Sequence, residues 1–250
     1  MSKALAGKVA LVTGGSRGLG AATVRLLAGQ GADVAFTYVS SAARAQAVVD
    51  EVEGLGAKAV AFQVDHADAS QAPVLIDQVV AAYGGLDILV NNAAIGVEQG
   101  RTVDDPDVDT AALDRMHAVN YLGVIAVIRA AVKVLRDNGR IVTISSGLGS
   151  RVGVPGVADY GATKSGIERY TLGVARDLGP RGITANVVEA GLMLTDMNPD
   201  PEALKPLLGM LAIQRFGEPD EIAAAIGFLA GPTASYVTGA VLDAHGGYNA

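Results

Sequence analysis

Val9-Ala10-Leu11-Val12-Thr13-Gly14-Gly15-Ser16-Arg17-Gly18-Leu19-Gly20 runs from a short apolar stretch into a glycine-spaced turn, and Ala21 to Leu27 continue it with helical character. A strand, a turn and a helix in that order leave free helix N–H groups and the positive end of the helix dipole at the turn, where they attract an anion. Glycines there let the backbone reverse sharply, approach a pyrophosphate and pack the helix on the strand. The spacing is Gly-x3-Gly-x-Gly, and a chain with 32 glycines makes some clusters by chance. The position between a first strand and a first helix, more than the glycines themselves, points to dinucleotide binding by Gly14, Ser16, Arg17, Gly18, Leu19 and Gly20.

Working outward, similar apolar runs recur at Val34–Thr37, Ala59–Phe62, Ile88–Val90, Ile141–Ile144, Ala185–Val188 and Val241–Leu242. They are continuous rather than alternating, the pattern of parallel strands buried on both faces. Helix-length segments lie between them, at about 18–30, 41–53, 70–83, 110–137, 158–179 and 219–230. Such alternation predicts a doubly wound parallel sheet of seven strands with right-handed crossovers and three helices on each face. Ligands of such sheets sit beyond the carboxyl ends of the strands, so chemistry is to be sought immediately after each apolar run.

The 250 residues are half apolar, and no Pro/Ser-rich linker or charge block divides them, so residues 1–250 read as one α/β domain. Cysteine is absent, which excludes a disulfide framework and a thiolate nucleophile and fits a reducing, cytoplasmic setting. No signal-peptide pattern is expected at the N-terminus, and the apolar runs break well before the ~18 residues a membrane span needs. A net charge of −7 argues against a nucleic-acid partner, which would call for a basic face. No metal-ligand pattern is expected.

The second strand speaks to which dinucleotide. Sites for NAD place a carboxylate there to accept the ribose hydroxyls. Here Thr37-Tyr38-Val39-Ser40-Ser41-Ala42-Ala43-Arg44 offers hydroxyls and a cation, with no acid until Asp50. A carboxylate would repel a 2′-phosphate, whereas Ser40, Ser41 and Arg17 suit one, so the expected cofactor is NADP(H). Asp65, after the third strand, is placed to accept from an adenine amino group.

Tyr160-Gly161-Ala162-Thr163-Lys164 opens a helical segment, and residues four apart share a face. An ammonium beside a phenol should pull its pKa from about 10 toward the working range. Strand five ends in Ser145-Ser146, where a hydroxyl can hold a reacting oxygen, and Asn120 sits mid-helix, where an asparagine needs a polar task or solvent. Asn91-Asn92 at the end of strand four can tie that strand to its neighbours.

Taken together, Thr13-Gly14-x3-Gly18-x-Gly20, Asn91-Asn92-Ala93, Asn120, Ser146, Tyr160-x3-Lys164 and the closing Gly246-Gly247 make the chain resemble the short-chain dehydrogenase/reductase family over nearly its whole length, in its 3-oxoacyl-acyl-carrier-protein-reductase-like branch. The resemblance implies a single-domain Rossmann fold with Tyr160 as general acid/base and Lys164 on the nicotinamide ribose. It also implies Ser146, with Ser145 as rival, on the substrate oxygen, and Asn120 on a water that links Lys164 to solvent. The cofactor set it implies also takes in Tyr38, His66, Asn92, Ala93, Ala94, Gly191, Met193 and Thr195. Two positions depart from the family: Ala94 replaces its usual glycine, and Ala190-Gly191, after Glu189, replaces a Pro-Gly pair. The lost proline frees φ in the loop expected to hold the nicotinamide carboxamide.

The expected reaction is reduction of a ketone, or oxidation of the matching secondary alcohol, by an NADP(H)-dependent carbonyl reductase or alcohol dehydrogenase. An apolar lid at about 193–215, rich in Leu and Met, favours a hydrophobic or acyl-type substrate. Arg136 and Arg181 read either as a basic patch for an acyl carrier protein or as ordinary helix-end charges. Three other readings compete. A non-catalytic nucleotide-sensing protein would be expected to lose Tyr160 or Lys164, an enoyl reductase of this fold spaces its lysine about seven residues from the tyrosine, and a nucleotide-sugar epimerase carries a larger C-terminal part. The apolar surface of 110–137 and 158–179, with the resemblance, predicts a homotetramer.

Overall fold

In a computed structural model, which describes residues 3–96, 101–197 and 200–250, the seven apolar runs form seven strands. These are β1 (Val9–Val12), β2 (Asp33–Tyr38), β3 (Ala59–Gln63), β4 (Leu86–Asn91), β5 (Leu135–Ser146), β6 (Thr184–Ala190) and β7 (Val241–Ala244). The helices are α1 (Gly18–Gly29), α2 (Ala42–Gly54), α3 (Gln71–Tyr83), α4 (Thr110–His117), α5 (Val124–Ala131), α6 (Gly147–Ser150), α7 (Ala158–Leu178), α8 (Pro201–Leu204) and α9 (Pro219–Ala230). All strands pair in parallel in the order β3-β2-β1-β4-β5-β6-β7. The strand order reverses between β1 and β4, which opens a crevice above their carboxyl ends.

Alternate residues of each strand serve opposite faces. Val12, Phe36, Val90 and Val188 pack with Val24 and Leu27 of α1, Val48 of α2 and Ile226 of α9. Leu11, Ala35, Leu89 and Ile141 pack on the other side with Leu75 of α3, Ile128 of α5 and Ile167 of α7. Burial on both faces is why the strands read as unbroken apolar runs.

The long segment before β5 differs from its expectation in two ways. The helix stops at Ala131, not near 137, because Leu135 already pairs with Leu86 and Asn138 turns the chain at φ 60°. Between α4 and α5 the chain also widens into a π-helical turn over Ala118–Gly123, centred on Asn120. Such single turns inside α-helices cluster at functional sites. The carbonyl of His66 comes so close that a Cβ at Gly123 would lie 2.2 Å from it. Among the described residues, Thr110–Ala131 is the helix long and apolar enough to cross a membrane, yet its apolar residues from Met116 to Ala131 pack largely inside, against α3 and α7. The expected lid contains α8 and a 3-10 turn over Lys205–Met210; its Asn198 and Pro199 lie outside the described residues.

Candidate active site

The glycine turn is fixed by close approach. A Cβ at Gly20 would stand 2.0 Å from the Gly14 carbonyl oxygen and 2.6 Å from Asn92 Nδ2, so the first turn of α1 can settle onto β1 and β4 only as glycine. Arg17 precedes α1 without a side-chain cap, which leaves the helix's first N–H groups free of a capping side chain. The Asn92 amide donates to the carbonyls of Thr13 (3.0 Å) and Gly14 (3.1 Å), and the backbone N–H groups of Asn92 and Ala93 donate to Thr13 Oγ1. Asn91 donates to Thr143 Oγ1 at 3.4 Å. The two asparagines thus lace β4 to β1 and β5, as their position suggested.

At the carboxyl end of β2, Ser41 caps α2 by accepting from Arg44 N, and Ser40 is exposed. Arg17 and Arg44 converge on one carboxylate: Asp196 Oδ2 accepts from Arg17 Nη1 at 3.0 Å and from Arg44 Nη1, and the two cations hold its pKa below the ordinary range. Asp65 accepts from Arg115 (2.9 Å) and from Ala67 N, so an adenine amino group would share a carboxylate already in use. His66 is buried with Nε2 2.9 Å from Thr37 Oγ1, and burial drops its pKa to about 4.

The chemical centre lies beyond β5. Ser146 ends that strand and caps α6 by accepting from Leu148 N, and its hydroxyl borders the cavity beside Tyr160. Tyr160 and Lys164 occupy successive turns of α7, with Lys164 Nζ 5.5 Å from the centre of the Tyr160 ring. The ammonium donates to the Ile144 carbonyl at 3.2 Å. Burial pushes Tyr160 up to about 12, against the Ser146 hydroxyl nearby, and pulls Lys164 down to about 8, against the nearby Glu168 carboxyl. The depressed phenol expected from the Tyr-x3-Lys spacing is therefore absent here, because desolvation outweighs the opposing effect of Ser146.

The two serines part company. Both line the cavity, but Ser145 is buried and donates to Glu168 Oε1 at 2.5 Å, whereas Ser146 is partly exposed beside Tyr160. Asn120 is fully buried, accepting from Ile95 N (2.8 Å) and donating to Ile95 O (2.9 Å). Both ends of its amide shape the loop after β4, and the carbonyl oxygen and the NH2 group each keep one further hydrogen-bonding position.

One cavity of about 1090 Å³ joins these regions. Every residue expected to touch a cofactor borders it, Tyr38, Ala94, Gly191, Met193 and Thr195 included; Asn120 does not. Gly191 is held by its N–H to the Ala244 carbonyl, and Met193 bridges to Gly217, so the Ala190-Gly191 segment is tied at both ends despite the missing proline. Leu204, Leu207, Met210 and Leu211 line the opposite wall. Arg136 and Arg181 form no free patch: Arg136 pairs with Asp87 at 2.6 Å and Arg181 with Asp137 at 2.9 Å. Sequence reasoning missed Asp196, Arg115, Glu168 and His245, whose roles arise from partners distant in the chain.

Residues 14–249 match the family described as enoyl-(acyl carrier protein) reductase. The chain is 41% identical to the cyclic-di-GMP-binding biofilm dispersal mediator protein of Escherichia coli (strain K12), with 99% of each chain covered. It is 38% identical to a 3-oxoacyl-[acyl-carrier-protein] reductase of Synechocystis sp., covering 98% of each. A short chain dehydrogenase from Burkholderia cenocepacia J2315, solved in complex with NADP, superposes with a TM-score of 0.93 at 46% identity over 98% of this chain and 99% of that one. With the strand order, the glycine turn and the Ser146–Tyr160–Lys164 cluster already in place, these matches show that the chain belongs to the short-chain dehydrogenase/reductase family.

Proposed function

We propose that the protein is an NADP(H)-dependent carbonyl reductase that reduces a hydrophobic or acyl-type ketone, or oxidises the matching secondary alcohol. The observation that carries this reading is the single cavity that joins the Gly14–Gly20 turn to Ser146, Tyr160 and Lys164. Its dinucleotide end suits the cofactor: uncapped N–H groups of α1 face a turn that only glycine permits, and Arg17 and Arg44 stand where a 2′-phosphate would need cations. The Burkholderia relative, solved with NADP, supports the same choice.

NADPH bound there supplies hydride to the carbonyl carbon. Ser146 and Tyr160 are placed to hold the carbonyl oxygen between two hydroxyl groups, where its negative charge develops. A phenol pushed up to about 12 stays protonated at neutral pH, so Tyr160 arrives as a loaded donor and the site suits reduction. Lys164, one turn along α7, steadies the phenolate left behind and is positioned to bind the nicotinamide ribose. Asn120 contributes by fixing Ile95 at the cavity edge, and its remaining amide positions are assigned to a water that links Lys164 to solvent. Gly191, Met193 and Thr195 are assigned to the nicotinamide carboxamide, with Asp65, His66 and Ala94 nearer the adenosine and Tyr38, Ser40 and Ser41 beside the 2′-phosphate.

The four-residue Tyr160–Lys164 spacing favours carbonyl over enoyl reduction, and the assembled cluster favours catalysis over nucleotide sensing alone. The segment at about 193–215 acts as the lid, presenting Leu204, Leu207, Met210 and Leu211 to the substrate. We also propose a homotetramer, since Leu122 of the π-helical turn, Phe228 of α9 and Val241 of the edge strand β7 are left exposed. The direct test follows NADPH oxidation against ketones, quinones and β-ketoacyl thioesters. Turnover of a ketone or thioester supports the reading, and no turnover of any carbonyl refutes it.

A further inference from the structure

Behind the chemical centre, two carboxyl groups are buried together. Ser145, Glu189 and Asp243 occupy paired register positions on β5, β6 and β7, so their side chains leave the same face of the sheet, toward α7. Glu168 comes down from α7, one turn beyond Lys164. Glu189 is completely buried and Glu168 is 3% exposed.

Glu168 Oε1 accepts from Ser145 at 2.5 Å, and Glu189, the register partner of Ser145, lies beside it and raises its pKa. Glu189 accepts from Ser150 Oγ at 2.5 Å and from Asn249 Nδ2 at 3.0 Å. A Cβ at Gly149 would lie 2.1 Å from Glu168 Oε1, so α6 closes over the pair only as glycine. Among the described residues, neither carboxylate has a lysine or arginine at ion-pair distance.

We propose that Glu168 and Glu189 share a single proton beneath the active site, and that Glu168 is thereby a positioning residue that holds Lys164 in its charged form. The geometry demands the proton. Two buried carboxyl groups side by side cannot both be anions without a donor between them, and the buried Lys164 ammonium offsets only one of the two charges. The groups facing the pair are Lys164 and Arg169 on α7, Asp243 on β7 and His245 after it. His245 adds no compensating charge: its Nδ1 accepts from Tyr248 N at 3.1 Å, which places the ring proton on Nε2, 3.5 Å from Glu189 and 3.3 Å from Asp243. The same tautomer keeps Nε2 from serving as a metal ligand in the Glu189–Asp243–His245 cluster.

The consequence for Lys164 follows from charge. Burial raises Glu168 to about 7, with the neighbouring Glu189 acting in the same direction, so the shared proton leaves near neutrality. Each proton lost adds a negative charge one helical turn from Lys164, and this supports its ammonium as the pH rises. The catalytic part of this inference rests on the proposed reduction; the shared proton does not.

The test uses the full chain with Glu168→Gln and Glu189→Gln, first by infrared titration between about pH 5 and 9. The parent should show a protonated-carboxyl band that vanishes near pH 7, and both variants should lack it. Thermal stability gives a second readout. A carboxyl whose folded pKa lies above its unfolded value stabilises the fold at low pH, and that stability is lost as the pH rises toward about 7. Glu168→Gln should remove that loss. In ketone reduction, Glu168→Gln should move the alkaline limb down by about one pH unit, because Lys164 loses its anionic support, whereas Glu189→Gln should not. Absence of the band in the folded parent overturns the shared proton, and an unmoved limb overturns the positioning role. A band without turnover of any carbonyl leaves the pair standing and removes the proposed reaction.

Discussion

Lys164 Nζ lies 5.5 Å from the centre of the Tyr160 ring, and the burial that pushes the phenol up to about 12 pulls the ammonium down to about 8. Of the two groups, Lys164 is therefore the one that changes charge just above neutrality. Ketone reduction should hold level at neutral pH and fall as the pH rises through about 8, as Lys164 loses its proton. Lys164→Met should erase that limb from whatever activity remains. A parental profile flat up to pH 10 would mean that the ammonium charge does not matter.

Arg17 and Arg44 share Asp196, so a 2′-phosphate bound by them would have to compete with that carboxylate. Arg17→Ala should weaken NADPH binding by about 10-fold or more and leave NADH nearly unchanged. Asp196→Asn should strengthen NADPH binding several-fold. Fluorescence titration reads both, and equal parental affinity for the two cofactors would contradict the assignment.

Ser145 and Ser146 are neighbours with separate partners. Ser146→Ala should cut kcat by about 10²-fold, as expected when a donor to a developing oxyanion is lost. Ser145→Ala leaves Glu168 short of a buried donor, so its cost should appear as about 1–3 kcal/mol of stability. Steady-state kinetics and denaturant unfolding separate the two, and the reverse pattern would exchange their roles.

The seven strands were legible in the sequence because burial on both faces makes each an unbroken apolar run, and the glycine turn because its function depends on backbone and spacing. The end of the helix at Ala131 was not legible. It is set by Leu135 pairing with Leu86 and by the left-handed turn at Asn138, both of which interrupt a pattern that still reads as helical. Tyr160, Lys164 and Ser146 were legible as a spacing, but the elevated phenol pKa comes from burial, which spacing does not encode. The Asp196 pairing and the Glu168–Glu189 contact join residues brought together only by the fold.

His66 is buried and stays neutral, its pKa lowered from 6.5 to about 4. A base whose folded pKa is depressed favours the fold above its unfolded value, and that stability is lost as the pH falls. Between pH 6.5 and about 4 the protein should lose on the order of 3 kcal/mol from this residue, and His66→Gln should flatten the acid side of the stability curve. Denaturant unfolding across that range checks it; an acid slope unchanged in the variant would place the loss elsewhere.

Light scattering at micromolar concentration should report four chains per particle. Substituting charge at Phe228 and Val241, which are 47% and 38% exposed, should lower that number without unfolding the chain. A stable parental monomer would contradict the assembly.

Tyr160 is proposed to deliver the proton. Tyr160→Phe keeps the ring and removes only the hydroxyl, so kcat for ketone reduction is the measurement to make, with NADPH affinity titrated alongside. kcat should fall at least about 10²-fold with NADPH affinity nearly unchanged. Near-parental turnover by Tyr160→Phe on a good substrate would contradict it.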